Sequence, residues 1–184
     1  MYKIAICDDD SLQVSHLETQ ISKYFDEINV HYEIDGYYKG NRLVKAMSTQ
    51  ADNYQLIFLD IEMEDINGIE TAKLLRNLDK SFVLIYVTSY EQYALESFEV
   101  SPFRYLIKPV STEKLRDVLS DVLVELTAKQ KFLFYQVGME HFQVILDNIV
   151  CLYSEFGRKI HLELVNDNSV LFYGKISTLE EELP

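Results

Sequence analysis

The stretch QLIFLD, residues 55–60, decides the architecture. Leu56, Ile57, Phe58 and Leu59 are apolar without alternation, so a strand built from them is buried on both faces. An acid, Asp60, closes the run. IETAKLLRNL, residues 69–78, then sets Ile69, Ala72, Leu75 and Leu78 on one helical face. A doubly buried strand followed by an amphipathic helix is the repeating unit of a parallel sheet covered by helices on both sides.

The same unit recurs outward from this point. Upstream, YKIAIC (2–7) leads into a helical pattern with Val14, Leu17, Ile21, Phe25 and Ile28, opened by the cap candidate Ser11. VHYEI (30–34) reads as a strand and GNRLVKAM (40–47) as a short helix. Downstream, FVLIYVTS (82–89) and RYLIKP (104–109) read as strands, with EQYALESF (91–98) and TEKLRDVLSDVLVEL (112–126) as helices. Five strands alternate with five helices, which predicts an α/β fold with a doubly wound, five-stranded parallel sheet.

After Leu126 the pattern changes. KFLFYQV, HFQVIL, IVCLYSEF, KIHLELV and VLFYGK are strand-like, with short turn segments such as VGME and NDNS among them. The expectation is two domains, 1–127 and 128–184, the second mainly β. Ser177 to Glu180 fits a capping box, yet four residues follow it, so the second domain is expected to be cut in mid-course.

With 184 residues, 48% of them hydrophobic, the chain can bury a full core. A formal net charge of −13 opposes a protein that coats nucleic acid, because phosphate contacts need surplus Lys and Arg. No apolar run reaches the 18 or so residues of a membrane span, and no signal-peptide pattern opens the chain, so a cytoplasmic protein is expected. Cys7 and Cys151 make neither a disulfide framework nor a metal spacing. Four scattered histidines nominate no site.

In such a sheet, ligands bind at the carboxyl ends of the strands. That rule gathers Asp8 and Asp9 from the first strand, Asp60 from the third, Thr88 from the fourth and Lys108 from the fifth. Two carboxylates about 4 Å apart repel by roughly 4 kcal/mol at an effective dielectric near 20, so the cluster asks for positive charge. A hard divalent cation with oxygen ligands, Mg²⁺ foremost, would supply it beside the lysine.

CDDD at the first strand, LDIEMEDINGIE around Asp60 with Gly68 eight residues on, YVTSY at the fourth and YLIKPV at the fifth resemble the receiver domain of bacterial response regulators. That resemblance spans about residues 2–126 and implies the flavodoxin/CheY-like fold. It implies Asp60 as the residue phosphorylated by a sensor histidine kinase, and Asp8, Asp9, Asp60 and the Glu62 carbonyl as Mg²⁺ ligands. Lys108 and Thr88 would be the partners of the phosphoryl oxygens, and Thr88 with Tyr105 the switch pair. It further implies no enzyme activity beyond self-phosphorylation from phosphodonors and self-dephosphorylation, and a phosphorylation-dependent homodimer through the face of the fourth predicted helix and fifth strand.

The second half resembles the start of a LytTR-type DNA-binding domain, with FLFYQVGMEHFQVILDNIVCLYSEFGRKIHLELV as its opening strands and STLEEELP as a helix start. That implies transcription control through DNA in a full-length protein, weak or no DNA binding by this stretch, and no membrane partner. Two departures stand out: Glu64 where the family often has proline, and Glu62 and Tyr90 at the positions flanking the attacking water.

The same residues bear on two other functions. A Mg²⁺-dependent phosphohydrolase with an aspartyl-phosphate intermediate would use Asp8 and Asp10 two apart on one strand, but needs an acidic pair late in the chain, and none follows Lys108 at the end of a strand pattern. An FMN carrier needs a hydroxyl-rich phosphate loop after the first strand, where DDDS places three negative charges.

Overall fold

The computed structural model describes residues 1–49, 53–90, 92–94, 100–129, 131–165 and 168–179. They form two compact units, Met1–Leu126 and a second from Thr127 onward.

The first unit contains β1 (Tyr2–Cys7), α1 (Ser11–Glu27), β2 (Tyr32–Tyr37), α2 (Gly40–Ser48), β3 (Leu56–Leu59), α3 (Gly68–Leu78), β4 (Val83–Thr88), β5 (Arg104–Ile107) and α4 (Thr112–Lys129), the last running past its boundary. The strands are parallel in the order β2-β1-β3-β4-β5. Alternate residues feed opposite faces. Ile4, Ile6, Leu56, Phe58 and Ile85 pack against Val14, Leu17 and Ile21 of α1 and Leu115, Leu119 and Val122 of α4. Ala5, Cys7, Ile57, Leu59 and Leu84 pack against Leu43 of α2 and Ala72 and Leu75 of α3. Each fully buried Ile, Leu or Phe contributes roughly 1.5–3 kcal/mol, so the two faces together carry most of the hydrophobic stabilisation.

Local departures from the sequence pattern have physical causes. β2 begins two residues later than VHYEI and continues through Gly36, because a Cβ there would lie 3.0 Å from Val14 Cγ1 and glycine lets α1 settle on the strand. The cap of α1 is Asp10 rather than Ser11: its Oδ1 accepts from Leu12 N at 2.9 Å. Of the predicted helix 91–98, residues Gln92–Ala94 form a 3-10 turn, while 91 and 95–98 lie outside the described residues.

The second unit is antiparallel. β6 (Phe132–Val137) and β7 (Glu140–Ile145) form a hairpin, and β8 (Ile149–Glu155), β9 (Lys159–Leu164) and β10 (Ser169–Tyr173) form a three-stranded sheet. Gly138 and Gly157, at φ +64° and +90°, serve the turns because an L side chain is strained there; space is open around both. Leu133, Ile160, Leu162 and Phe172 form the core with Leu179 of α5 (Ile176–Leu179). That helix includes Ile176, so Ser177 lies inside it rather than at its cap, and Glu180 lies outside the described residues.

Candidate functional site

The order β2-β1-β3 reverses direction at β1, which opens a crevice at the carboxyl ends of β1 and β3. Asp8 follows β1 directly and Asp60 follows β3 directly, so both carboxylates arrive at this crevice, 5% and 7% exposed. Lys108 follows β5, whose register is fixed by pairing with β4 and by a 2.8 Å bond from its own N–H to the Thr88 carbonyl. Its Nζ donates to Asp8 Oδ2 at 2.6 Å and to Asp60 Oδ2 at 2.8 Å. The Lys108–Pro109 peptide is cis.

Asp9 is exposed and accepts from Glu64 N at 3.0 Å through Oδ2. One carboxylate oxygen from each of Asp8, Asp9 and Asp60 lies within 4.8 Å of the others. Three carboxylates against one ammonium leave two negative charges uncompensated when all are ionised. Burial pushes the Asp8 carboxyl above its ordinary range despite the hydrogen bond from Lys108. For Lys108, burial alone would lower the pKa, but the hydrogen bonds to Asp60 and Asp8 outweigh it and hold the ammonium above its ordinary value. The Cys7 thiol, beneath the cluster, is pushed up to about 12 by burial and then by the surrounding carboxylates, so it stays a packed, unreactive thiol.

The Asp60 carboxylate is oriented at both oxygens, since Oδ1 accepts from Ile61 N at 2.7 Å. The loop after it turns back tightly: Gly68 N–H donates to the Ile61 carbonyl at 2.7 Å, and a Cβ on Gly68 would lie 2.0 Å from the Asp60 carbonyl oxygen. Only glycine permits that approach. Asn67 then caps α3 by accepting from Glu70 N at 2.8 Å.

The remaining nominated residues surround this centre. Thr88 is fully buried at the end of β4, and its Oγ1 accepts from Tyr90 N at 3.4 Å. Tyr105 is half-buried on β5, and its hydroxyl donates to the Tyr90 carbonyl, which links it to Thr88 through one short segment. Glu62 is exposed and accepts from the Tyr93 hydroxyl at 3.4 Å; its hydrogen bond and charge also push the Tyr90 phenol up. No sequence motif singles out Tyr93 or Asp65. Asp65 accepts from Gly40 N and Asn41 N across the fold, a contact that no local spacing announces.

A doubly wound parallel sheet with a lysine bridging two buried acids at its switch point defines an α/β domain whose crevice is built around charge. Residues 4–120 match the response regulator receiver domain, and the chain belongs to that family. Among curated proteins it is similar to the sensory transduction protein LytT of Oceanobacillus iheyensis, 31% identical over 141 residues, covering 73% of this chain and 57% of that protein. LytT of Bacillus cereus is 32% identical over 119 residues, covering 65% and 46%. This chain spans about half the length of the curated relatives it matches. Among solved structures, the response regulator TrrA of Thermotoga maritima in complex with Mg(2+)-BeF is 27% identical with a TM-score of 0.57, covering 66% of this chain and 99% of that one. The response regulatory domain of mrkE from Klebsiella pneumoniae, 23% identical with a TM-score of 0.61, covers 69% and 99% and shares the fold. These findings favour a response regulator and lend nothing to a phosphohydrolase. Among the described residues no helix is long and apolar enough to cross a membrane.

Proposed function

We propose that this chain is the phospho-acceptor part of a cytoplasmic response regulator, with Asp60 taking a phosphoryl group from a histidine on a sensor kinase. The observation that carries it is the Lys108 ammonium held between Asp8 and Asp60, with Asp9 in the same cluster. One Asp60 oxygen attacks phosphorus in line. The O–P bond forms as the P–N bond breaks, and the departing imidazole nitrogen takes up a proton from solvent. Lys108 shifts from Asp60 to a phosphoryl oxygen as a point charge, and the Thr88 hydroxyl donates to another.

The donor set fits a hard divalent cation: three carboxylates within 4.8 Å and an uncompensated negative charge. Asp9, Asp8 and Asp60, with the Glu62 carbonyl, would hold Mg²⁺. When bound, it neutralises charge on the phosphoryl oxygens; positioning and the remaining charge compensation are the protein's own. The chemistry is stoichiometric, with self-phosphorylation from small phosphodonors and self-dephosphorylation as its only turnover.

The readout in this proposal runs from Thr88 through Tyr90 to Tyr105. A new hydrogen bond from Thr88 to the phosphoryl group withdraws the hydroxyl and frees Tyr105 to move inward, exposing a dimerisation face that includes β5. The β unit would be the opening part of a LytTR-type DNA-binding domain, spanning 128–184 after a receiver spanning 1–127. The LytT relatives support that pairing. Transcription control then belongs to the full-length protein, and this chain alone is expected to bind DNA weakly. The test is incubation with acetyl phosphate and Mg²⁺: intact mass should rise by one phosphoryl group, and Asp60→Asn should not respond. An unchanged wild-type mass would overturn the proposal.

A further inference from the structure

Lys39, which precedes α2, has extended backbone and makes no capping bond with its side chain, so the first amides of α2 need an acceptor from elsewhere. They find it on the loop that follows Asp60. Gly40 N donates to Asp65 Oδ1 at 3.1 Å and Asn41 N to Asp65 Oδ2 at 3.0 Å. The approach is close: a Cβ on Gly40 would lie 2.2 Å from Thr71 Oγ1 and 2.9 Å from Ile66 Cγ1, so the glycine lets the helix end come down on the loop. One residue before Asp65, Glu64 N donates to Asp9 Oδ2 at 3.0 Å, a bond that a proline there could not make. The segment is thus pinned to α2 by a carboxylate and to the acidic cluster by an amide.

We propose that Asp65 is a positioning residue for the cation site. By capping α2 from the neighbouring loop, it holds residues 61–67 so that the Glu64 amide and the Glu62 main chain stand beside Asp9 in the arrangement that receives the ion. The inference rests on reading the Asp8, Asp9 and Asp60 cluster as a divalent-cation site. Asp65 itself touches neither ion nor phosphoryl group; it acts through Asp9. Its charge is suited to the place, because the exposed amides of a helix start attract a carboxylate. A loop carrying Glu62 and Glu64 beside Asp60 would otherwise repel the cluster. Outer-shell contacts that fix a liganding carboxylate commonly govern metal affinity by about 10–100-fold.

The experiment compares wild type, Asp65→Ala and Asp65→Asn in the full 184-residue chain. Mg²⁺ affinity is measured by calorimetry at a temperature where circular dichroism shows all three folded, and amide exchange is measured in EDTA. Asp65→Ala is expected to weaken Mg²⁺ binding about tenfold. Asp65→Asn, which keeps one acceptor oxygen, should fall between. In EDTA the amides of Gly40, Asn41 and Glu64 should exchange faster in both variants, while those of β3 stay unchanged. A purely structural role would lower stability and leave the affinity of the folded variants alone. Affinity within twofold of wild type in Asp65→Ala, or an unaltered Glu64 amide, would overturn the proposal. A wild type that takes up no Mg²⁺ would sink the cation reading instead, and Glu64 exchange in EDTA would then decide by itself whether Asp65 holds the loop.

Discussion

Replacing Lys108 with Met removes the one ammonium between two buried acids while keeping most of the side chain's packing. The contacts are 2.6 and 2.8 Å, with side-chain exposures of 13% for Lys108, 8% for Asp8 and 9% for Asp60. At an effective dielectric near 20 each contact is worth about 6 kcal/mol of Coulomb energy, most of which is offset by desolvation. Breaking a buried pair typically costs about 3–5 kcal/mol because the remaining charge is left uncompensated. Here an escape route caps the cost, since Asp8 is already shifted toward its neutral form and can take up a proton. We expect a loss of about 3 kcal/mol at pH 7.5 in EDTA, which corresponds to a fall in Tm of about 10 °C. Urea unfolding read by circular dichroism measures it. Without the ammonium, burial still holds the folded-state pKa of Asp8 above its unfolded one, so the variant gains stability as pH falls through it. Lys108, held above its ordinary value, contributes fully at neutral pH and is lost only in strongly alkaline solution. The gap between wild type and variant should therefore narrow toward pH 5. A gap under about 1 kcal/mol at pH 7.5, or one that widens in acid, would mean that the ammonium does not compensate the two buried acids.

Three further outcomes follow from the same geometry. Because the Asp8 carboxyl is raised, the ion must compete with a proton, so Mg²⁺ affinity should increase with pH through the range above the ordinary carboxylate value; calorimetry in buffers of different ionisation enthalpy would report proton release. Gly68→Ala should cost at least about 3 kcal/mol in urea unfolding, since its Cβ would lie 2.0 Å from the Asp60 carbonyl and the backbone on both sides must move. A loss below about 1 kcal/mol would mean the loop relaxes freely. Asn67→Ala removes the cap on Glu70 N and should cost about 1 kcal/mol, with a Tm fall of a few degrees.

Much of this was legible in the chain because burial writes itself into composition. LIFL and VLIYVT are apolar at every position, and they became the central strands β3 and β4 with every residue buried. The acids and the lysine were legible for a related reason: a strand-end charge after an apolar run has nowhere to go but the crevice. What escaped was set by contacts between distant segments. Gly36 looks like a turn residue and sits inside β2 because Val14 presses on it. Asp65 looks like one more loop acid, and its role depends on α2 bringing two unsatisfied amides to it from 25 and 24 residues away. Tyr105 stands out by position, whereas its bond to the Tyr90 carbonyl joins residues 15 apart in the chain, which no local spacing announces. Asp10 caps α1 where the sequence pattern points to Ser11, since either residue type satisfies the same rule and the choice rests on the local backbone.

Among the three clustered acids, Asp60 is the proposed nucleophile. The most direct measurement traps the product: after incubation with acetyl phosphate and Mg²⁺, borohydride reduction converts an aspartyl phosphate into homoserine, and peptide sequencing locates it. Homoserine is expected at Asp60 alone. Conversion at Asp8 or Asp9, or conversion that persists in Asp60→Asn, would contradict that assignment.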